Sequence, residues 1–512
     1  MVSALVVDIP RLGILALHCD FAGIGWEIMS TERALPSYWA VVLAASGANF
    51  LAMLDSTVTM LAMPALAREF PTSSLPDLSW VMSAYAVLFA AFLAPCGRIA
   101  DTLGRKRIFL GGITLFTIAS LLCALSPTLQ MLIAARALQG VGAAVMVPAS
   151  LSVLLMDTAP GRRVMSISLL SAAGGVAAAV GPGLGGLLVE AFSWHAVFLI
   201  NVPVGIALII AAARVLRPAA ATGGLPDLVG TVLLALGVGG LTLGVTNGTT
   251  WEWTSVRTLA CLVGGVLCLV LAVWRSVRHS SPAFEFSLFR GNRGFAAANV
   301  VALLYGTVMY AWLLGAVLFL TDIWRYTELE AGLAQTVGAV VAAIGAVVMG
   351  KVMGRFGGPR FAAVLGMAAH AAVPALLLVF LTSESAFLTI WLPASVFVGF
   401  GIGATMMATM SAAAESAPAT KFASVSALNN TARQIGGALG AAAVATILQS
   451  GTDATGARTV SSYQSVFTFC LVLTLIAIVV AAAGLQGKKT TSAAQRTDGA
   501  PSAPRESVPV AE

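Results

Sequence analysis

The chain has 512 residues, of which 58% are apolar and only 10% charged, and its formal net charge is +6. A soluble domain carries roughly 25% charged residues to cover its surface, so this composition excludes a water-soluble enzyme, a nucleic-acid-binding domain and a disordered protein. A membrane-crossing helix takes about 20 apolar residues, and the apolar content suffices for a dozen or more, which points to an all-α polytopic membrane protein.

Residues 1–37 hold acids and a short apolar run from Leu12 to Leu17 without a basic leader, and read as an N-terminal cytoplasmic extension. Apolar windows between charged or Pro/Gly-rich breaks then predict fourteen helices. They fall near 38–63, 78–97, 107–126, 129–155, 164–190, 196–216 and 227–247, then 256–276, 295–320, 331–354, 361–381, 386–411, 422–449 and 463–484. Residues 486–512 are rich in Lys, Ser, Thr, Pro and Ala and read as a disordered cytoplasmic tail. The cysteines at 19, 96, 123, 261, 268 and 470 have no metal or disulfide spacing, and no metal site is expected.

The basic residues fix an expected orientation. Of 28 Lys and Arg, 22 fall on the side that holds both termini and four, Arg68, Arg257, Arg325 and Arg458, on the other. Arg136 and Arg433 lie within spans. The positive-inside rule then puts both termini in the cytoplasm and favours an even number of spans.

The loop after the second span reads GRIADTLGRKR (97–107) and the loop after the tenth GKVMGRFGGPR (350–360), an echo offset by 253 residues. Ser166-x-Ser168 and Ser424-x-Ser426 repeat at an offset of 258. The chain therefore divides into a six-helix bundle over 38–216, a linker with two extra helices over 217–294, and a second six-helix bundle over 295–485. Two related bundles with a path at their interface are the architecture of alternating-access transporters.

GRIADTLGRKR resembles the cytoplasmic signature of the major facilitator superfamily, and fourteen spans in a six-two-six arrangement resemble its drug:proton antiporter branch. LDSTVTMLAMP in span 1, WVMSAYAVLFAAFLAPCGR in span 2, RALQGVGAA in span 4, GPGLGG in span 5, FLINVPVG in span 6 and NNTARQIGGALG in span 13 match that branch too. Departures are Thr59-Met60-Leu61 where the branch usually has an Asn, Trp194-His195-Ala196 before FLINVPVG, Ala177 in place of a Gly, and Gly354 at the position equivalent to Asp101.

Asp55 is the only carboxylate placed well inside a span. Such a group costs about 2.5–3.5 kcal/mol on insertion scales, so it is a functional candidate by default; a packing hydrogen bond is the alternative. The resemblance implies proton coupling at Asp55, with Arg136 of the span-4 motif as its fixed-charge partner. Gln139 follows Arg136 at helical spacing. For Gly97, Asp101, Gly104 and Arg105 the resemblance implies a gate, against the alternative of a topological anchor, which is the reading for Lys106 and Arg107. Gly181, Pro182, Gly185 and Gly186 are read as a hinge between the bundles.

Trp80, Met82, Tyr85, Gln139, Asn299, Tyr305, Tyr310, Asn429, Asn430 and Arg433 are candidate pocket residues, since aromatic and Met side chains suit bulky apolar ligands. Arg433 is either offset by Asn or carbonyl groups or attracts an anionic group of the substrate. The expected function is a proton-coupled efflux antiporter of hydrophobic small molecules in the cytoplasmic membrane, driven by the proton motive force without a cofactor and working as a monomer. No nucleotide-binding Gly-Lys-Ser/Thr loop is present, which argues against an ATP-driven pump. A dedicated metabolite exporter, an uptake symporter, a membrane enzyme and a sensor are the alternatives. The four His do not cluster as an enzyme would want, and the longest polar segment is too short for a sensor's output domain.

Overall fold

The computed structural model describes residues 38–159, 162–217, 227–248, 250–279, 282, 288–416, 422–451 and 458–485. The expectations for 1–37 and 486–512 lie outside the described residues. The first group of helices is α1 (Tyr38–Leu61), α2 (Met63–Glu69), α3 (Leu75–Leu103), α4 (Arg105–Ala124), α5 (Leu129–Met156), α6 (Arg163–Ala191), α7 (Trp194–Leu199) and α8 (Asn201–Val215). A pair follows, α9 (Leu228–Asn247) and α10 (Val256–Arg278). The second group is α11 (Arg293–Asp322), α12 (Glu328–Phe356), α13 (Gly358–Phe380), α14 (Leu392–Glu415), α15 (Phe422–Ser450) and α16 (Val460–Gly484). A single π-helical turn, Phe387–Trp391, leads into α14.

Among the described residues thirteen stretches are long and apolar enough to cross a membrane, and large apolar side chains such as Val256, Val379 and Leu388 lie exposed, as a lipid-facing surface requires. This is a multi-pass membrane protein. The expected count of fourteen turns on α15, which falls short of that criterion. Its first half carries Asn429, Asn430, Thr431, Arg433 and Gln434, and it packs chiefly on α11 and α3 rather than facing lipid along its length.

Helix starts follow local chemistry. Ser74 and Asp77 form a reciprocal capping box at α3, and Thr327 and Glu330 form another at α12. Thr128, Asp227 and Ser255 cap α5, α9 and α10. Each such cap contributes about 1 kcal/mol. Asp227 also accepts a 2.8 Å bond from Arg275, tying α9 to α10.

One sequence expectation is corrected. The 97–107 motif is not a loop: α3 runs to Leu103, and the reversal is confined to Gly104, whose φ of 98° is open to glycine alone at low cost. In the second group α12 runs to Phe356 and reverses at Gly357, φ 118°. The two turns lie 253 residues apart, the offset of the sequence echo, and each uses a positive-φ glycine, with ψ of 117° at Gly104 and 13° at Gly357. Span 6 is one apolar stretch, Trp194–Val215, in which α7 passes into α8 through Ile200, whose φ of −60° and ψ of −29° are helical. Span 1 ends at Leu61 and continues as the short α2, whose second residue is Pro64. Lys106, read only as a topological charge, donates to the carbonyls of Ala213 (2.7 Å) and Leu216 (2.6 Å) and so closes the C-terminal end of α8.

Within the first group α3 and α4 pack on α5, and α1 packs on α6, α5 and α8; within the second, α11 packs on α15 and α16, and α14 on α12 and α13. Two extensive contacts join the groups, α6 with α12 and α3 with α15. The α9–α10 pair packs through α9 on both α3 and α15, along one of those two seams.

The two reversals allow a direct test. Gly357→Ala should cost about 1–2 kcal/mol, because it forces a Cβ into a left-handed backbone. Gly111→Ala, on an open face of α4 with nothing within 4 Å of the added carbon, should cost nothing. Thermal melting of the purified variants in detergent reads both, and equal melting temperatures would contradict the turn assignment.

A buried ion pair beside a central cavity

Asp55 sits on α1, fully buried. Its Oδ2 accepts a 2.6 Å bond from Arg136 Nη1 on α5, and its Oδ1 accepts 2.8 Å bonds from Gln139 Nε2 on α5 and Asn201 Nδ2 on α8. Arg136 also donates from Nε to the Val81 carbonyl at 2.9 Å and from Nη1 to Gln139 Oε1 at 2.6 Å, and its guanidinium lies 4.3 Å from the centre of the Tyr85 ring. Ser120 on α4 accepts from both amides, Gln139 at 3.0 Å and Asn201 at 2.9 Å, and donates to the Phe198 carbonyl at 3.1 Å.

Small residues make this closeness possible. A Cβ on Gly140 would strike the Tyr85 carbonyl, and one on Gly142 would come within 2.6 Å of the Phe116 backbone. Asn201 follows Ile200 at the first position of α8, and its side chain turns inward to Asp55. Asn201 and Ser120 escaped the sequence reading. Asn201 stood in the FLINVPVG motif without a role, whereas Ser120 had no signal at all.

Beside this cluster lies a cavity of about 1000 Å3, part of it open solvent, between the two groups of helices. Its walls come from α1, α6, α11, α12, α14 and α15, and include Met53, Thr57, Met60, Trp312, Gln335 and Trp391. A smaller space of about 300 Å3 adjoins Arg136, lined by Ser56, Met82 and Tyr85 from the first group and Tyr310 and Gln434 from the second.

The ten candidate pocket residues divide accordingly. Tyr310 and Arg433 line the large cavity, and Met82, Tyr85 and again Tyr310 the small one. Gln139 belongs to the Asp55 cluster. Trp80 lines neither cavity. Tyr305 is buried against His370, hydroxyl to Nδ1 at 2.9 Å, and Asn299 donates to the Phe295 carbonyl at 2.8 Å. Asn429 reaches toward the Ala298 carbonyl at 3.5 Å, and Asn430 accepts from Arg433.

The GPGLGG segment does not break its helix, since α6 is continuous through Pro182. Its glycines are sites of close approach. A Cβ on Gly185 would lie 3.1 Å from the backbone of Val58 on α1, and one on Gly186 would lie 2.7 Å from the Cα of Leu329 on α12. Gly332 of α12 sits against the Pro182 carbonyl in return. The same end is tied by an ion pair between Arg68 of α2 and Glu328, and by Leu329 N donating to Glu190 Oε2 at 3.2 Å. Gly97 and Asp101 lie on α3 and Arg105 opens α4, with Gly104 between them; the side chains of the first two lie outside the described residues.

A family model described as Major Facilitator Superfamily matches residues 45–441. The cephamycin export protein of Amycolatopsis lactamdurans is 34% identical, with 88% of this chain and 93% of the relative covered. The tetracenomycin C resistance and export protein of Streptomyces glaucescens is 30% identical over 85% of this chain and 80% of its own length. A probable multidrug resistance protein of Escherichia coli is 31% identical, covering 80% of each. Among solved structures, a peptide transporter in complex with sulfate superposes with a TM-score of 0.63 at 16% identity, over 87% of this chain and 94% of that one.

Removing one member of a buried pair strands the other charge, which costs on the order of 3–5 kcal/mol. Arg136→Met and Asp55→Leu should each lower the melting temperature sharply, and the double variant should melt well above the level that summed losses imply. Additive losses would show that the two side chains are not energetically coupled.

Proposed function

This chain belongs to the major facilitator superfamily, and on that footing we propose that it is a proton-coupled efflux antiporter. It would export drug-sized apolar molecules across the cytoplasmic membrane as a monomer, with both termini in the cytoplasm. The observation that carries the reading is the isolated, fully bonded Asp55–Arg136 pair beside a large apolar cavity between the two bundles. The names of the relatives, which speak of antibiotic export and multidrug resistance, support the same direction.

In this reading α1 is the coupling element. It carries Asp55 toward Arg136 on one face, and Met53, Ser56, Thr57 and Met60 toward the cavity on another. A proton arriving through the small space beside Arg136 neutralises Asp55. The 2.6 Å charge-assisted bond then weakens, and Arg136 keeps only Gln139, the Val81 carbonyl and the Tyr85 ring. The helix carrying Asp55 is freed to shift, and the same shift alters the cavity wall. Each charge that crosses the membrane is worth roughly 2.3 kcal/mol per 100 mV, enough to bias two arrangements of the bundles.

The end tied by Arg68 with Glu328 and by Glu190 with Leu329 N carries few basic loops, so by the positive-inside rule it faces outward. The closed contact there fits a cavity opening toward the cytoplasm. The gate at Asp101, Gly97, Gly104 and Arg105 would then act at the opposite end, where Gly104 supplies the reversal between α3 and α4.

Asp55→Asn keeps size and hydrogen bonding while removing titration. In proteoliposomes with an imposed pH gradient the variant should lose uphill export and substrate-driven proton flux, yet retain downhill exchange. Uphill export at the wild-type rate with an unchanged pH dependence would overturn the coupling role.

A further inference from the structure

The two arginines buried in the spans have different surroundings. Arg136 has a carboxylate, an amide, a backbone carbonyl and an aromatic face. Arg433 has far less. Its guanidinium offers five N–H groups in a planar fork. Nη2 donates to Asn430 Oδ1, Nη1 faces the Met406 sulfur at 3.8 Å, and the buried Nε has no hydrogen-bond partner. Among the described residues no carboxylate pairs with it. Yet Arg433 lines the large cavity, and no other charged side chain among the described residues does.

A guanidinium at an apolar wall with so few acceptors is costly unless an anion completes it. The fork matches a carboxylate in a two-bond arrangement, and a cation in the same cavity would meet only repulsion. The remaining wall suits an apolar body: Met53, Met60 and Met309 are adaptable, and Trp312 and Trp391 are broad and stacked, their rings 6.1 Å apart.

We propose that Arg433 is the anion anchor of this cavity and that the cargo is a drug-sized, largely apolar organic carboxylate. The assignment rests on the export reading above and narrows it to one charge class. The competing role for Arg433 is structural. Its carbonyl meets Gly306 of α11 at a close helix crossing, and Asn430 with cavity water would complete the guanidinium.

Three fluorescent probes with one apolar body separate these roles: pyrenebutyrate, its uncharged amide and the corresponding primary amine. Binding to the purified full-length chain is read by energy transfer from tryptophan to pyrene. The wild type should bind the carboxylate about tenfold more tightly than either of the others, the worth of one charge-assisted hydrogen bond. Arg433→Gln should bring the carboxylate down to the level of the amide and leave amide binding within about twofold. Arg433→Lys should restore part of the preference, because it returns the charge without the fork.

Equal binding of the three probes by the wild type, preference for the amine, or a carboxylate preference that survives in Arg433→Gln would overturn the proposal. If Arg433→Gln does not purify as a folded protein, the wild-type ranking and Arg433→Lys decide. Proteoliposomes with an imposed pH gradient separate the two levels. An Arg433-dependent carboxylate preference without uphill movement of any probe would refute export and keep the site. Uphill movement of the carboxylate at an undiminished rate in Arg433→Gln would keep export and refute the site.

Discussion

An ionised carboxylate in the middle of a bilayer is tolerated only when its charge and every lone pair are answered. Asp55 is answered from α5 and α8, and those partners are held in turn by α3, α4 and α7. The first bundle is organised around that requirement. Glycines let α3 approach α5 and let α4 approach α5 at Gly142, and the span formed by α7 and α8 delivers Asn201.

The second bundle repeats the backbone but not the polar centre. Its reversal at Gly357 falls at the position equivalent to Gly104, yet it holds no counterpart of the Asp55–Arg136 pair among the described residues. Its ion pair, Arg458 with Asp322, sits at the start of α16 and the end of α11, reinforced by Tyr463 at 2.6 Å from Asp322. Trp312, Trp391, Phe319 and Phe467 form an aromatic group, of which Trp312 and Trp391 line the cavity. One bundle thus concentrates titratable chemistry and the other apolar surface, and α1 and α11 meet between them.

Much of this was legible in the sequence because hydropathy, charge placement and glycine spacing report directly on helices in lipid. The repeat at 97–107 and 350–360 foretold matching turns, and Asp55 with Arg136 stood out because charge is rare inside spans. What stayed hidden depends on three-dimensional convergence. Ser120 is a serine among apolar neighbours, and nothing in a single chain says that it lies beside Gln139 and Asn201. Helical ends were also blurred, since the polar residues of 97–103 look like a loop although α3 carries them. The pocket candidates were chosen by residue type, and type does not tell that Tyr305 turns toward His370 while Tyr310 turns toward Gln434 and the cavity.

The glycines of α6 show the same limit: GPGLGG spells flexibility in sequence, whereas in the fold it permits contact with α1 and α12. Gly185 lets α6 approach Val58 of α1, and Gly186 lets it approach Leu329 of α12 across the seam between the bundles. The central claim remains that Asp55 itself takes and releases the proton. Infrared difference spectroscopy on the membrane-reconstituted protein, recorded as pH is stepped, tests this most directly. The account expects a protonated-carboxyl stretch that rises as pH falls, shifts when a transported substrate is added, and is missing in Asp55→Asn. A spectrum in which that variant and the wild type give the same carboxyl bands would contradict it.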